Sequence, residues 1–526
     1  MFTDAEASAI APYFTNLDRP VFALVNLPET VKGALFARYS RSPKSLRRLF
    51  LDEFLEDAGG APARTAVGSA RAERLYQRVL SEYGDDSVAQ LGGVHLAVED
   101  ASNLLTKVLE RGRLMAYLEQ STRYIPYTDR RGDLWRYHVP AELDGHPALR
   151  AQFTAAMNAT FETYARWIDP MRAWFERRYP KSPADSDGVY RQAIRAKALD
   201  TLRGLLPAAT QSNVGIYGTG QAYEALLLRM RAHPLAEARQ TADLMLDELR
   251  KVIPAFLTRV DQPDRGGRWT EYFEAARAET QRLAQRLDST APVPPRPEVT
   301  LTDFDPDGEV KVVAAALYAS SSRPDDELLA AVQRMGAAER EQILRAYVGD
   351  RANRRHKPGR AFERTSYRFD VLADYGAFRD LQRHRLLTVD WQALTPRHGF
   401  VEPEAVIEAG ADDEWQAAME RSAGLYDALE AEGLGTVAQY AVSMAYRVRF
   451  VMDMNAREAM HVIELRTAPA GHPAYRRVCQ QMHALIADRA GHRAIAASMR
   501  FADHSTVELE RLQEERRLEA KRRARA

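Results

Sequence analysis

Apolar residues recur along the chain mostly at helical spacing. Val94, Val98, Ala101, Leu105 and Val108 follow one another in alternating steps of four and three, which predicts an amphipathic helix from Val94 to Arg113. It delivers Arg111 and Arg113 at its C-terminal end. Leu372, Tyr375, Phe378 and Leu381 recur every three residues and predict a second helix, which delivers Arg383, His384 and Arg385 in the same way. Proline-free stretches at 151–169, 189–206, 235–253, 413–431, 456–466 and 474–489 also read as helices. VFALVNL at Val21 and EVKVVAAALYA at Glu309 are the strand candidates. The expected fold is α+β with helices dominating.

The two halves of the chain repeat in order, as an internal duplication predicts. ARYSRS at Ala37 matches LYASSSR at Leu317, and Leu228-Arg229 precedes His233-Pro234 as Leu465-Arg466 precedes His472-Pro473. The stretch STAPVPPRPEVTLTDFDPDGE packs proline and acidic residues between helical regions. It predicts a linker at 288–309 between a first domain, 1–287, and a second, 310–526.

Of the 526 residues, 45% are hydrophobic and 28% charged, enough for well-packed cores and too apolar for a disordered chain. Lys plus Arg (73) equals Asp plus Glu (73), so no global field favours nucleic acid or an anionic membrane. Anionic ligands must be held locally. A single cysteine, Cys479, excludes intrachain disulfides and cysteine-rich metal sites. The N-terminus lacks a signal-peptide pattern, and no window approaches a membrane span, so a cytoplasmic protein is expected. Histidines occur without ligand spacing, and no metal is expected. Gly215, Gly218 and Gly220 in GIYGTG follow no clear strand and precede no Lys-Ser/Thr, so they predict a turn before a helix at Ala222. The terminal run LERLQEERRLEAKRRARA reads as a solvated helix.

The segment RGRLMAYLEQSTRYIPY gathers Arg111, Arg113, Glu119, Gln120, Ser121 and Arg123 within thirteen residues. Guanidiniums beside Ser and Gln suit a phosphate attached to a polar ring, because the planar fork binds oxyanions bidentately. On composition alone, a helix end with solvated arginines is the plainer alternative. Order and spacing add to this: Arg111-Gly112-Arg113, seven residues, Ser121, then Arg123-Tyr124 resembles the RHRxxSxNExSxR signature of the flavin-dependent thymidylate synthases. Gly112, Ala116 and Leu118 depart from it. The second half carries a literal Arg383-His384-Arg385, with Thr388 and Asp390 in register and Thr395-Pro396-Arg397 about two residues late. Its MNAREAMHVIELR supplies Asn455, Arg457, His461 and Arg466, whereas Gln439 stands where the first half keeps Arg203 in LRGLLP. The first half in turn keeps Leu228-Arg229 but offers Gly218-Thr219-Gly220 for the family's N-x-R.

The resemblance implies two diverged tandem copies of a helix-rich domain like that of the thymidylate synthase complementing proteins. It implies conversion of dUMP to dTMP with methylene-tetrahydrofolate, FAD and NAD(P)H, the cofactors carrying the difficult chemistry. No protein nucleophile is implied, and Cys479 reads as a small buried hydrophobe. By resemblance, Arg111, Glu119, Ser121, Arg123, Arg203 and Arg466 fall to the nucleotide, and Arg383, His384, Arg385, Asn455, Arg457 and His461 to FAD. The complementary losses point to composite sites, the Ser121/Arg123 arm of one copy meeting the Asn455/Arg466 helix of the other. Relatives are homotetramers, so a homodimer of this chain would supply as many domains. The competing expectation is a non-catalytic paralogue that binds a nucleotide or flavin, or a structural scaffold, favoured by the departures at Gly112, Ala116 and Gln439.

Overall fold

A computed structural model of the chain describes residues 2–39, 42–55, 90–287 and 295–524. In the first half, β1 (Gly93–Ser102) runs into a short helix, α1 (Asn103–Leu109), and then β2 (Met115–Glu119). Two long helices, α2 (Pro147–Arg178) and α3 (Asp187–Leu202), lead to β3 (Gln211–Thr219), α4 (Gly220–Arg231) and α5 (Ala236–Arg250). The second half opens with β4 (Val299–Phe304) and α6 (Gly308–Tyr318). It then repeats the pattern with β5 (Ser366–Asp374), α7 (Tyr375–Leu381), β6 (Thr388–Trp391), α8 (Asp412–Ala431), β7 (Arg447–Asn455), α9 (Ala456–Arg466) and α10 (Pro473–Asp488). A last helix, α11 (Leu512–Arg523), follows. Strand order is β1-β3-β2 in one sheet and β4-β5-β7-β6 in the other, so the duplication read from the sequence extends to topology.

The compact units cut across the halves. Residues 1–101, 108–120 and 212–292 form one unit; residues 102–107, 121–211 and 293–526 form the other. In the first, β2 runs antiparallel to β3 with Met115 opposite Gly218, and Tyr223 of α4 donates its hydroxyl to Val94 O at 3.0 Å, tying helix to sheet. Gly220 leaves no room for a side chain, since a Cβ there would lie 2.8 Å from the Phe256 ring, whereas one on Gly218 would displace the terminal methyl of Met115, 2.5 Å away. GIYGTG is therefore the end of β3 and the start of α4, not a turn.

In the second unit, β5 and β7 pair antiparallel along their whole length, from Ser366 opposite Asn455 to Asp374 opposite Arg447. Tyr367, Phe369, Val371 and Ala373 alternate into the core with Val448, Phe450, Met452 and Met454 opposite. Each strand ends at a side-chain cap that starts the next helix: Asp374 accepts from Ala377 N at 2.8 Å and Asn455 from Glu458 N at 2.9 Å. Helix α2 packs on α3 and on α8. Two turns of equivalent register, after Arg203 and after Gln439, pair antiparallel: Ala208 N donates to Val442 O and Met444 N to Leu206 O, with Pro207 bridged to Ser443. Pro207 and Ser443 each lie four residues past those equivalent positions, so the two turns pair about a local two-fold relation.

Several expectations are corrected. Residues 93–102 are a strand, because Val94 and Val98, four apart, satisfy a period of two as well as one of 3.6. Leu372 likewise lies in β5, before α7 begins. EVKVVAAALYA is helix α6, its alanines packing with Val312 and Val313 buried; an apolar run of that length does not separate strand from buried helix. VFALVNL contributes only a bridge from Leu24 to Phe14. Within the expected linker 288–309, residues 288–294 lie outside the described residues, and Val299–Phe304 is a sheet strand with Val299 and Leu301 buried. Helix α2 continues through Pro170 to Arg178, past its expected end. The ARYSRS repeat lies partly outside the described residues.

Candidate functional site

The charged residues gather in the second unit around Asp380, on the last turn of α7. Helix α3 ends at Leu202 and tightens into a single 3-10 turn that buries Arg203, whose Nη1 lies 3.5 Å from Asp380 Oδ2. Arg383, one turn beyond Asp380, brings Nη1 to 4.0 Å from Oδ1, and Arg466 at the end of α9 brings its Nη1 to 3.7 Å. Burial would raise the Asp380 carboxyl, but the guanidiniums of Arg383, Arg203, Arg466 and Arg123 outweigh it and hold the group well below the usual carboxylate range.

Arg123 belongs to a tight arm in which Ser121 Oγ accepts from Arg123 N at 3.2 Å. Its Nε and Nη2 both donate to Asp200 on α3 at 2.8 Å, and its Nη1 reaches Tyr475 Oη at 3.2 Å. Arg466 covers the same tyrosine, its Cζ 5.4 Å from the ring centre. The arm of the first copy and the α9–α10 region of the second therefore share Tyr475. Arg203 lies against the start of α7, where a Cβ on Gly376 would come within 3.1 Å of Nη2. That Nη2 is buried and makes no hydrogen bond. His384 and His472 stay neutral, burial and the neighbouring arginines holding both well below the usual range. Four guanidiniums converge on the carboxylates of Asp200 and Asp380, and planar forks so gathered are suited to a phosphate oxyanion.

Beside this cluster, Arg466 Nε donates to His384 Nε2 at 2.9 Å, and His384 Nδ1 lies 3.6 Å from Glu458 Oε1. Burial pushes Glu458 up to about 7, and burial together with nearby cations brings His461 down to about 4. His384, Glu458 and His461 bring ligand-type atoms within 4.8 Å of one another, a grouping the sequence did not reveal. The Arg466 donor, however, occupies the lone pair of Nε2 and so places the ring proton on Nδ1; a ligating histidine needs an acceptor on its outer nitrogen. Within the trio, His384 holds Arg466 through that hydrogen bond, with Glu458 and the His461 ring packed beside it.

Asn455 caps α9, Arg457 Nε donates to Pro358 O at 3.0 Å, and Arg385 is exposed. Lys357, Arg354 and Arg385 make no ion pair among the described residues, and the first two lie near His461 of α9. Arg111 and Glu119 belong to the first unit. Cys479 is fully buried and its thiol is pushed up to about 12 by that burial, which removes it as a nucleophile. Sequence reasoning missed Asp200, Asp380, Glu458 and Tyr475. The available signal was spacing: Asp200 and Asp380 each precede a key arginine by three residues, one helical turn.

The sequence matches the family described as thymidylate synthase complementing protein over residues 34–255 and 300–490. The chain belongs to that family. The two matched segments are consistent with a tandem of two copies in one helix-rich chain. A UPF0159 protein of Chlamydia muridarum is 37% identical over 528 residues, covering 99% of each chain. One of Thermoplasma acidophilum is 30% identical over 93% of this chain and 99% of its own length. A flavin-dependent thymidylate synthase of a Mycobacterium species is 30% identical over 194 residues, 36% of this chain and 70% of that protein. The tandem arrangement therefore spans relatives of full length, whereas the Mycobacterium protein aligns with part of it.

Proposed function

We propose that this chain methylates dUMP to dTMP, using methylene-tetrahydrofolate as the one-carbon source, FAD as its flavin and NAD(P)H as reductant. The observation that carries the reading is the convergence of Arg123, Arg203, Arg383 and Arg466, drawn from both copies, around Asp380, with a buried Arg203 Nη2 that makes no hydrogen bond. Arg123, Arg203 and Arg466, with Ser121, would hold the nucleotide phosphate; Arg111 and Glu119 are assigned to the same ligand by register alone. Positive charge there also offsets electron density that builds on the uracil ring during carbon transfer.

The residues fit a flavin. Asn455, Arg457 and His461 share α9, Arg383, His384 and Arg385 follow α7, and the unpaired Lys357, Arg354 and Arg385 suit a diphosphate. When bound, FAD would supply the hydride chemistry. The chain's own part is to grip the phosphate, fix the ring orientation and keep His384 neutral toward Arg466. A two-chain assembly and a cytoplasmic setting belong to the same proposal, as do tandem copies at 1–287 and 310–526. Among the described residues, no helix is long and apolar enough to cross a membrane.

The non-catalytic reading draws on the first copy, where Gly112 replaces the histidine and a Cβ there would lie 2.6 Å from Tyr117 Oη. One experiment separates the two. The purified chain is titrated with FAD and then dUMP while the visible spectrum is recorded, followed by a dTMP assay with methylene-tetrahydrofolate and NADPH. Bound flavin perturbed by dUMP, with dTMP formed, is the expected result. Ligand binding without dTMP selects the non-catalytic reading, and binding of neither ligand refutes both.

A further inference from the structure

The segment after residue 490 lies beyond the second family match, and its charged end reads from sequence as a merely solvated helix. Its contacts are more specific than that. Glu510 is 4% exposed and accepts from Lys197 Nζ at 2.5 Å. Arg511 places its guanidinium 4.8 Å from the centre of the Tyr124 ring while pairing with Glu514 and Glu515. Arg516 Nη2 donates to Asp185 Oδ2 at 2.8 Å, and that aspartate is buried.

These contacts bear on the arm that presents Arg123. Lys197 and Asp200 lie one turn apart on α3, so Glu510, Lys197, Asp200 and Arg123 form a line of alternating charge. Arg511 closes the line at Tyr124, the residue next to Arg123. Without Glu510, the Lys197 amine, already seated over the Phe175 ring, keeps Asp200 as its nearest acidic neighbour along α3 and competes there with Arg123. Without Arg511, the outer side of the arm loses its stacking partner.

We propose that Glu510 and Arg511 are positioning residues for the nucleotide site: a C-terminal strap outside the family repeat locks the Ser121–Arg123–Tyr124 arm onto α3 and so sets the aim of Arg123. The strap itself rests on the contacts above; its effect on dUMP rests on the proposed function. Neither residue touches the phosphate. Their effect belongs in substrate affinity and in the order of the arm, not in the chemical step.

The test uses the full chain with Arg511→Ala and Glu510→Gln, and with Arg511→Lys and Glu510→Asp as conservative controls. Circular dichroism and the melting midpoint establish that each is folded; should Glu510→Gln fail, Arg511→Ala carries the test, since Arg511 sits toward the surface. Amide hydrogen exchange over residues 121–127 is expected to quicken about tenfold in Arg511→Ala and Glu510→Gln and to recover in the conservative variants. The KM for dUMP should rise about tenfold with kcat within about twofold of the unsubstituted chain. Unchanged exchange in the folded variants overturns the positioning role, whatever the kinetics. Quickened exchange in a chain that binds no dUMP sustains the strap and refutes the proposed function instead. Quickened exchange with an unchanged KM overturns the link between strap and site.

Discussion

Removing the Arg123 side chain strikes both the fold and the ligand, and the structure sets the size of each effect. Asp200 is 6% exposed and takes donors from Arg123 at 2.8 to 2.9 Å. In Arg123→Ala its carboxylate stays buried without that partner, a change that costs roughly 3–5 kcal/mol. The second unit has about 330 residues, so its unfolding entropy is about 0.7 kcal/mol/K and the melting midpoint should fall by about 4–7 °C. In the double variant Arg123→Met/Asp200→Asn no unpaired charge remains, and the midpoint should return to within about 2 °C of the original. The assay is differential scanning calorimetry of the full chain, with and without dUMP. Ligand at a hundredfold excess over Kd contributes about 2.7 kcal/mol, hence about 4 °C, to the unsubstituted chain, and Arg123→Ala should lose most of that increment. An unaltered midpoint in Arg123→Ala would mean that the pair with Asp200 does not form in solution. A full dUMP increment in the same variant would remove Arg123 from the site.

Four further outcomes are expected. Burial lifts Glu458 from 4.5 to about 7, so the folded state binds that proton more tightly; the stability it contributes is complete below pH 4.5 and is lost as pH rises through 7. Glu458→Gln should flatten that slope and exceed the original by roughly 3 kcal/mol above pH 7 in chemical denaturation, while an identical pH profile would contradict the burial. His461, lowered from 6.5 to about 4, acts in the opposite sense: its contribution is present above pH 6.5 and is lost as pH falls toward 4. Gly376→Ala sets a Cβ 3.1 Å from Arg203 Nη2 and should weaken dUMP binding about tenfold by calorimetric titration; unchanged affinity would displace Arg203 from the ligand. Cys479 should resist thiol reagents until the chain unfolds, and Cys479→Ala should retain dTMP formation; rapid labelling of the folded protein would count against its burial.

The long helices were legible because each carries its own pattern: α9 coincides with the expected 456–466, and α8 and α10 begin one residue before their expected starts. The strands of the central sheets were not, for two physical reasons. Val94 and Val98 are ambiguous in period, and the alternation of Val448, Phe450, Met452 and Met454 in β7 stood in the sequence without being read. Arg123, Arg203, Arg383, His384 and Arg466, which the structure brings near one another, were singled out through register. Their shared focus, Asp380, was not: its three-residue spacing to Arg383 stood in the sequence, but its meeting with Arg203 depends on a turn of one copy lying against a helix of the other. The C-terminal run is the solvated helix expected over Leu512–Arg523, but Glu510, just ahead of it, is buried against Lys197, more than three hundred residues away in sequence.

Where identical subunits meet on a two-fold axis, every substitution is written on both sides and must be tolerated in both settings. The bridge between Pro207 and Ser443 joins equivalent positions that are encoded separately. Each side of that axis can therefore drift alone. Arg203 reaches Asp380, while its counterpart Gln439 has turned to local duties, accepting from Leu394 N at 3.0 Å and donating to Thr436 O at 3.1 Å. A single gene in this arrangement achieves what otherwise takes two: an obligate pairing of unlike partners at fixed one-to-one ratio, in which one copy is free to abandon a task that the other still performs.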